Sequence, residues 1–157
     1  MKPHPQAACA KSTGPIDPCL VGGRQAHAAC MSESAAVDDR RELGRHGEDL
    51  AFEYLRRSGM LVLDRNWRPR GAGLRGELDI VARDGDELVV VEVKTRRSIA
   101  YGSPAEAITR RKLRALRSLT LAWLEQRSIH APAIRFDVVS IVIPPAGQPV
   151  IEHLRAV

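Results

Sequence analysis

Asp79 and the tripeptide Glu92-Val93-Lys94 are the residues of this 157-residue chain whose types and spacing point most directly to chemistry. Side chains alternate along a strand, so Glu92 and Lys94 share one side of it, about 7 Å apart. Asp79 lies on the preceding arm. An even number of loop residues between the two arms pairs odd positions with even ones and puts Asp79, with Glu77 one step further, on the face of Glu92 and Lys94; an odd loop puts it opposite. A carboxylate and an ammonium inside a run as apolar as Leu-Val-Val-Val-Glu-Val-Lys are costly to bury unpaired, by several kcal/mol. A divalent cation offsets that cost. Two converging carboxylates are hard oxygen ligands suited to Mg²⁺, or Mn²⁺, with water and the Val93 carbonyl filling further positions. A lysine beside them orients that water or neutralises charge developing on a phosphate oxygen. Metal-assisted phosphodiester hydrolysis is the chemistry this set fits.

The elements that must position these residues follow from periodicity. Leu43, Gly47, Leu50, Ala51, Tyr54 and Leu55 keep one face apolar at helical spacing over residues 38–58, and Gly59 offers a stop. Glu48 falls on the shoulder of that stripe, so it can lean toward the sheet as a third carboxylate, either a metal or water ligand or part of a proton relay. Asp49 and Glu53 point away. A short strand over 60–63 and a Gly- and Arg-rich loop over 70–76 come next. A hairpin follows, with arms either side of Asp84-Gly85-Asp86 and its second arm a β-branched run over 88–95. Ser103-Pro104-Ala105-Glu106 reads as a capping box that opens a helix to about residue 126, carrying Ile108, Leu116, Leu119 and Trp123 inward. Lys112 falls on its inner stripe, where a charge needs a partner. Strands over 135–143 and 150–154, the latter on an edge, complete the order helix, three strands, helix, two strands. The fold class expected is α/β, a mixed central sheet flanked by helices.

Composition narrows the rest. At 44% hydrophobic the chain can bury a core, and 24 Lys plus Arg against 19 Asp plus Glu leave it at +5, which favours a polyanionic partner. Residues 1–37 contain Pro3, Pro5, Pro15 and Pro18, no aromatic residue and no sustained period, so they are expected to be a disordered tail ahead of a domain over 38–157. Met31, just ahead of that domain, offers an alternative start. Cys9, Cys19 and Cys30 match no zinc spacing and cannot form a closed disulfide set. No secretory signal or membrane-length apolar run is evident, so the expected location is the cytoplasm.

Gly47-Glu48, Gly76-Glu77-Leu78-Asp79, Val91-Glu92-Val93-Lys94, Tyr101-Gly102-Ser103-Pro104 and Arg135-Phe136-Asp137-Val138 resemble the motifs of the bacterial YraN family, uncharacterised protein family 0102, a group of predicted endonucleases. The match covers about residues 40–157. That family is similar to Holliday-junction resolvases and to the PD-(D/E)XK nucleases, whose restriction-endonuclease-like core runs αβββαβ. The resemblance implies that Glu48, Asp79, Glu92 and Lys94 are the active-site set, with Mg²⁺ as metal. It also suggests a homodimer, since resolvases that cut two symmetric strands work in pairs. Leu78, rather than proline, precedes Asp79, a departure the superfamily tolerates.

Three basic clusters flank the acidic set: Arg65, Arg68, Arg70 and Arg75 before it, Arg96 and Arg97 after it, and Arg110, Arg111, Arg114 and Arg117 with Lys112 on the second helix. Positive charge around an acidic metal site is what holding a polyanion requires. Arg68, Arg70, Arg75, Arg96, Arg97, Tyr101, Arg111 and Lys112 are therefore the expected nucleic-acid contacts, with Tyr101 and Trp67 able to stack on a base or sugar. With only two each of Phe, Trp and Tyr, a single-strand stacking platform is not expected. The expected function is metal-dependent endonuclease action on structured or branched DNA, specified by backbone and shape. The rivals are a non-catalytic nucleic-acid-binding module on the same scaffold and an adaptor for an acidic protein.

Overall fold

The computed structural model describes the backbone of residues 23–70, 73–98 and 109–157, with side-chain environments from Val37 onward. Seven elements run in the order α1 (Gly23–Arg57), β1 (Leu61–Trp67), β2 (Leu78–Asp84), β3 (Glu87–Arg96), α2 (Arg110–Arg127), β4 (Ala133–Val142) and β5 (Val150–Leu154). The strands form one mixed sheet in the order β1-β2-β3-β4-β5, with β3 and β4 parallel and every other neighbour antiparallel. Parallel neighbours need a crossover, and α2 supplies it. This is the α/β architecture expected from the sequence.

Residues Asp38–Val157 form one compact unit. On one face of its sheet Ala51 and Leu55 of α1 pack on Ile80, Ala82, Val89, Val91, Val93, Val139 and Ile141. On the other, Leu116, Leu119 and Trp123 of α2 pack on Leu78, Val81, Leu88 and Val90. β3 is buried on both faces, which is why it reads as a nearly unbroken apolar run.

Three boundaries differ most from expectation. α1 starts at Gly23, ahead of the residue-38 start implied by its apolar stripe; Ala26, Ala28, Ala29, Ala35 and Ala36 upstream are strong helix formers that carry no stripe. β1 runs to Trp67 and not only to Leu63, because a register shift between Val62 and Asp64 and a left-handed Asn66 (φ 51°) break the alternation that would mark a strand. α2 starts at Arg110, not in the 103–106 capping box. Thr109 is extended (φ −77°, ψ 158°) and its hydroxyl accepts the Lys112 N–H, so it is the cap at which this helix begins. Residues 103–106 themselves, with Tyr101, Ile108, Cys9 and Cys19, lie outside the described residues. Among the described residues no helix is long and apolar enough to cross a membrane.

Candidate active site

β2 and β3 are joined by the two-residue loop Gly85-Asp86 and stay paired from Asp84↔Glu87 to Ile80↔Val91. Gly85 takes the positive φ (60°) that such a tight loop requires. The even loop sets the parity: one step beyond the last pair, Asp79 stands opposite Glu92, on the α2 side of the sheet that Val81, Leu88 and Val90 also face. There Asp79 Oδ2 accepts the Val93 backbone N–H at 2.8 Å.

Glu92 is only 2% exposed, flanked along its strand by the buried Val89, Val90, Val91 and Val93. Lys94 Nζ lies 2.7 Å from its Oε1 and Lys112 Nζ 2.9 Å from its Oε2. Oε2 nonetheless accepts no well-aligned hydrogen bond, although the Lys112 ammonium stands within ion-pair distance. Burial, and then the neighbouring Glu92 charge, push the Asp79 carboxyl from the ordinary 3.8 up to about 7; the Val93 N–H and the two ammonium groups only partly oppose this. Lys94 and Lys112 are the only lysines from residue 38 onward, and both reach this one glutamate.

A crowded pair of carboxylates with one unbonded buried oxygen fits a small divalent cation, since Mg²⁺ takes one or two carboxylates and keeps several waters. Asp79 and Glu92 would be its donors. Among the described residues no three His, Cys, Asp or Glu side chains converge as a metal-binding group. Glu48 stands apart from the pair, its Oε2 accepting the Asn66 side-chain N–H of β1 at 2.9 Å. The helix does come close beside it: a Cβ on Gly47 would meet Thr95 Oγ1 of β3 at 1.8 Å, so only glycine permits this approach.

The basic residues are partly neutralised within the protein. Arg68 donates from Nε and Nη2 to Glu77 Oε2 (2.9 and 2.6 Å), and Arg97 pairs with Asp39 at 2.6 Å. Arg96 also has partners. Arg111 is exposed at the start of α2. Arg68 and Arg70 line a cleft of about 420 Å³ with Arg65 and Arg127, and Arg68 and Arg75 line another of about 430 Å³ that Lys112 enters. Trp67 is not available for stacking: it is 7% exposed and its indole N–H donates to Gln126.

One charged cluster has no counterpart in the sequence-based site. Arg135 on β4 donates to Asp84 at 2.8 Å, to Asp137 at 3.0 Å and to Glu87. Asp137, fully buried, also accepts from the Ala156 N–H at 3.0 Å and meets His153 Nε2 at 2.9 Å. Arg135 and Asp137 lie two apart on one strand face, the same signature as Glu92 and Lys94, and that signal was available from the sequence.

With this geometry in place, the chain can be set beside known proteins. The model of "Uncharacterised protein family UPF0102" matches residues 47–141. A UPF0102 protein of Rhodococcus opacus (strain B4) is 54% identical over 113 residues, covering 72% of this chain and 92% of the relative. One from Nocardia farcinica (strain IFM 10152) is 49% identical over 123 residues, covering 78% and 94%, and one from Nocardioides sp. is 46% identical over 127 residues, covering 81% and 99%.

Proposed function

Since the chain belongs to the uncharacterised protein family UPF0102, whose model spans both arms of the Asp79–Glu92 hairpin, we propose that it is a metal-dependent phosphodiesterase acting on nucleic acid, with structured DNA as substrate. The observation that carries this is the pairing of a half-buried Asp79, raised to about 7, with a buried Glu92 that has an unbonded oxygen, both flanked by lysines. Carboxylates placed at a cost to the fold are a mark of a site built for a ligand. A bound Mg²⁺ would supply Lewis acidity and a more acidic water at that point.

The protein's own groups do the rest. Asp79 and Glu92 would hold the cation, and the Val93 N–H holds the Asp79 carboxyl in place beside Glu92. Lys94, 2.7 Å from Glu92 and 38% exposed, is close enough to orient the attacking water and open enough to meet a phosphate oxygen. Glu48 joins only by leaving Asn66. Arg70, Arg75 and Arg111 offer phosphate contacts at the margin, while Arg68 and Arg97 must first exchange a carboxylate for a phosphate.

Cleavage of supercoiled plasmid and of a four-way junction, with Mg²⁺ or Mn²⁺, tests the proposal. Wild type should cut, and Asp79→Ala and Lys94→Ala should each lose at least about a hundredfold in rate. Equal rates in all three proteins would assign the cutting to a contaminant. Metal-independent, salt-sensitive binding without any cutting would leave a binding module on this scaffold.

A further inference from the structure

Lys112 belongs to two places at once. Its ammonium lies 2.9 Å from Glu92 Oε2, and its side chain also lines the cleft of about 430 Å³ formed with Arg68, Leu74, Arg75 and Glu77. Its backbone is fixed, because its N–H donates to the Thr109 hydroxyl that caps α2. Its side chain is not: it is 39% exposed, and its contact with Glu92 lacks hydrogen-bond alignment. Lys94 differs in sharing a strand with Glu92 two residues away, so its approach to Oε1 is set by the pleat. In the cleft, Arg68 is held by Glu77 through two N–H groups, leaving Arg75 and Lys112 as the cations with which an anion there would pair.

We propose that Lys112 is an exchangeable partner of Glu92: it holds that carboxylate in the cation-free protein and, once a divalent cation takes Glu92, turns its ammonium into the adjoining cleft to bind a phosphodiester next to the one being cut. The exchange rests on the function proposed above. It gives the cleft a chemical class of ligand, the sugar-phosphate backbone, and couples cation uptake to strand binding without any new element moving. A lysine suits this task better than arginine, since a compact ammonium on a flexible stem swings between two anions, whereas a guanidinium fork prefers one bidentate partner.

The full chain, wild type and Lys112→Met, is titrated with Mn²⁺ by calorimetry. Both proteins are then titrated with a short duplex oligonucleotide across a salt series, in Ca²⁺ and separately in EDTA. Removing the competing ammonium should tighten Mn²⁺ binding several-fold. In Ca²⁺ the variant should bind the duplex less tightly, with a salt slope shallower by about one; in EDTA the two slopes should coincide. Lys112→Arg, which keeps the charge, should restore only part of the slope in Ca²⁺, because its fork prefers to stay on Glu92, and guards against a folding defect in the methionine variant. Unchanged Mn²⁺ affinity together with an unchanged slope in Ca²⁺ would overturn the exchange, as would an equal loss of slope in EDTA. A wild type that takes up no Mn²⁺ would instead remove the metal-dependent function on which the exchange stands.

Discussion

Two charged clusters are buried in the same sheet, and they are opposites. Around Arg135, one guanidinium meets Asp84, Asp137 and Glu87, and Asp137 adds a backbone N–H and a histidine, so both its oxygens have partners. The Arg135 side chain hydrogen bonds hold the Asp84 carboxyl below its ordinary value, and they raise that of Arg135 itself despite its burial. Around Glu92, one oxygen accepts no hydrogen bond and the facing Asp79 is pushed up to about 7. The first cluster is a staple joining three strands. In the second, two carboxylates face two ammonium groups, yet one Glu92 oxygen lacks an aligned donor and the Asp79 carboxyl is held well above its ordinary value. The contrast lies in the carboxylates, since His153 Nδ1 beside the staple also lacks a partner while both Asp137 oxygens have one.

Substitutions at either cluster break or sharpen this contrast, and the largest effect belongs to the staple. Arg135→Met strands fully buried Asp137 together with Asp84 and Glu87, and urea unfolding should show a loss of about 3–5 kcal/mol. A loss under about 1 kcal/mol would mean the staple carries no load. Next comes Gly47→Ala, where the new Cβ meets Thr95 Oγ1; the expected loss is about 1–3 kcal/mol, part of it recovered by Thr95→Ala. If Gly47→Ala is as stable as wild type, the close approach of α1 behind the site is not what glycine serves.

At the site the sign reverses. Asp79 keeps its proton in the folded protein up to about pH 7 but loses it near 3.8 when unfolded, so its contribution falls as pH rises from about 4 to 7 and then levels. In EDTA, Asp79→Asn should therefore match wild type near pH 4 and exceed it by about 1–3 kcal/mol at pH 8. Acid acts the other way on the staple, where the lowered Asp84 gives up its contribution as pH falls below its ordinary range. A gain in Asp79→Asn that is the same at pH 4 and pH 8 would show that Asp79 is not strained by its charge. The smallest effect is Glu48→Ala, which removes one exposed hydrogen bond to Asn66 and should cost under about 0.5 kcal/mol. Its Mn²⁺ affinity should stay within about twofold of wild type, whereas a tenfold fall, worth about 1.4 kcal/mol, would show that Glu48 moves in to bind the ion.

The hairpin was the most legible part of the molecule. The β-branched run of its second arm and the Asp84-Gly85-Asp86 turn marked the arms, while the parity that brings Asp79 to Glu92 stayed open until the Asp84↔Glu87 pair fixed a two-residue loop. Lys112 was legible as a charge on an apolar stripe; that its partner is Glu92 needed the third dimension. Glu48 illustrates the limit of a helical wheel, since a shoulder position does not reveal a competing amide such as Asn66, itself left-handed and placed beyond a register shift in β1. The pairing of Arg68 with Glu77 and of Arg97 with Asp39 was likewise invisible to charge counting, so the basic clusters overstated the surface charge free to meet phosphate. Arg135 and Asp137 shared the signature of Glu92 and Lys94, but strand periodicity cannot tell which pair finds Asp84 and Glu87 to satisfy it. The start of α2 shifted because a threonine cap without an acid three residues later carries a weaker sequence signal than a Ser-Pro-x-Glu box.

The most direct test is the thermal unfolding of wild type, Asp79→Asn and Glu92→Gln at pH 8, each with and without millimolar Mg²⁺. If the two carboxylates form a cation site, Mg²⁺ binds the folded state alone and raises the wild-type midpoint by several degrees, while neither variant responds. A wild type indifferent to Mg²⁺, or variants that shift as much as it does, would contradict a cation site at Asp79 and Glu92.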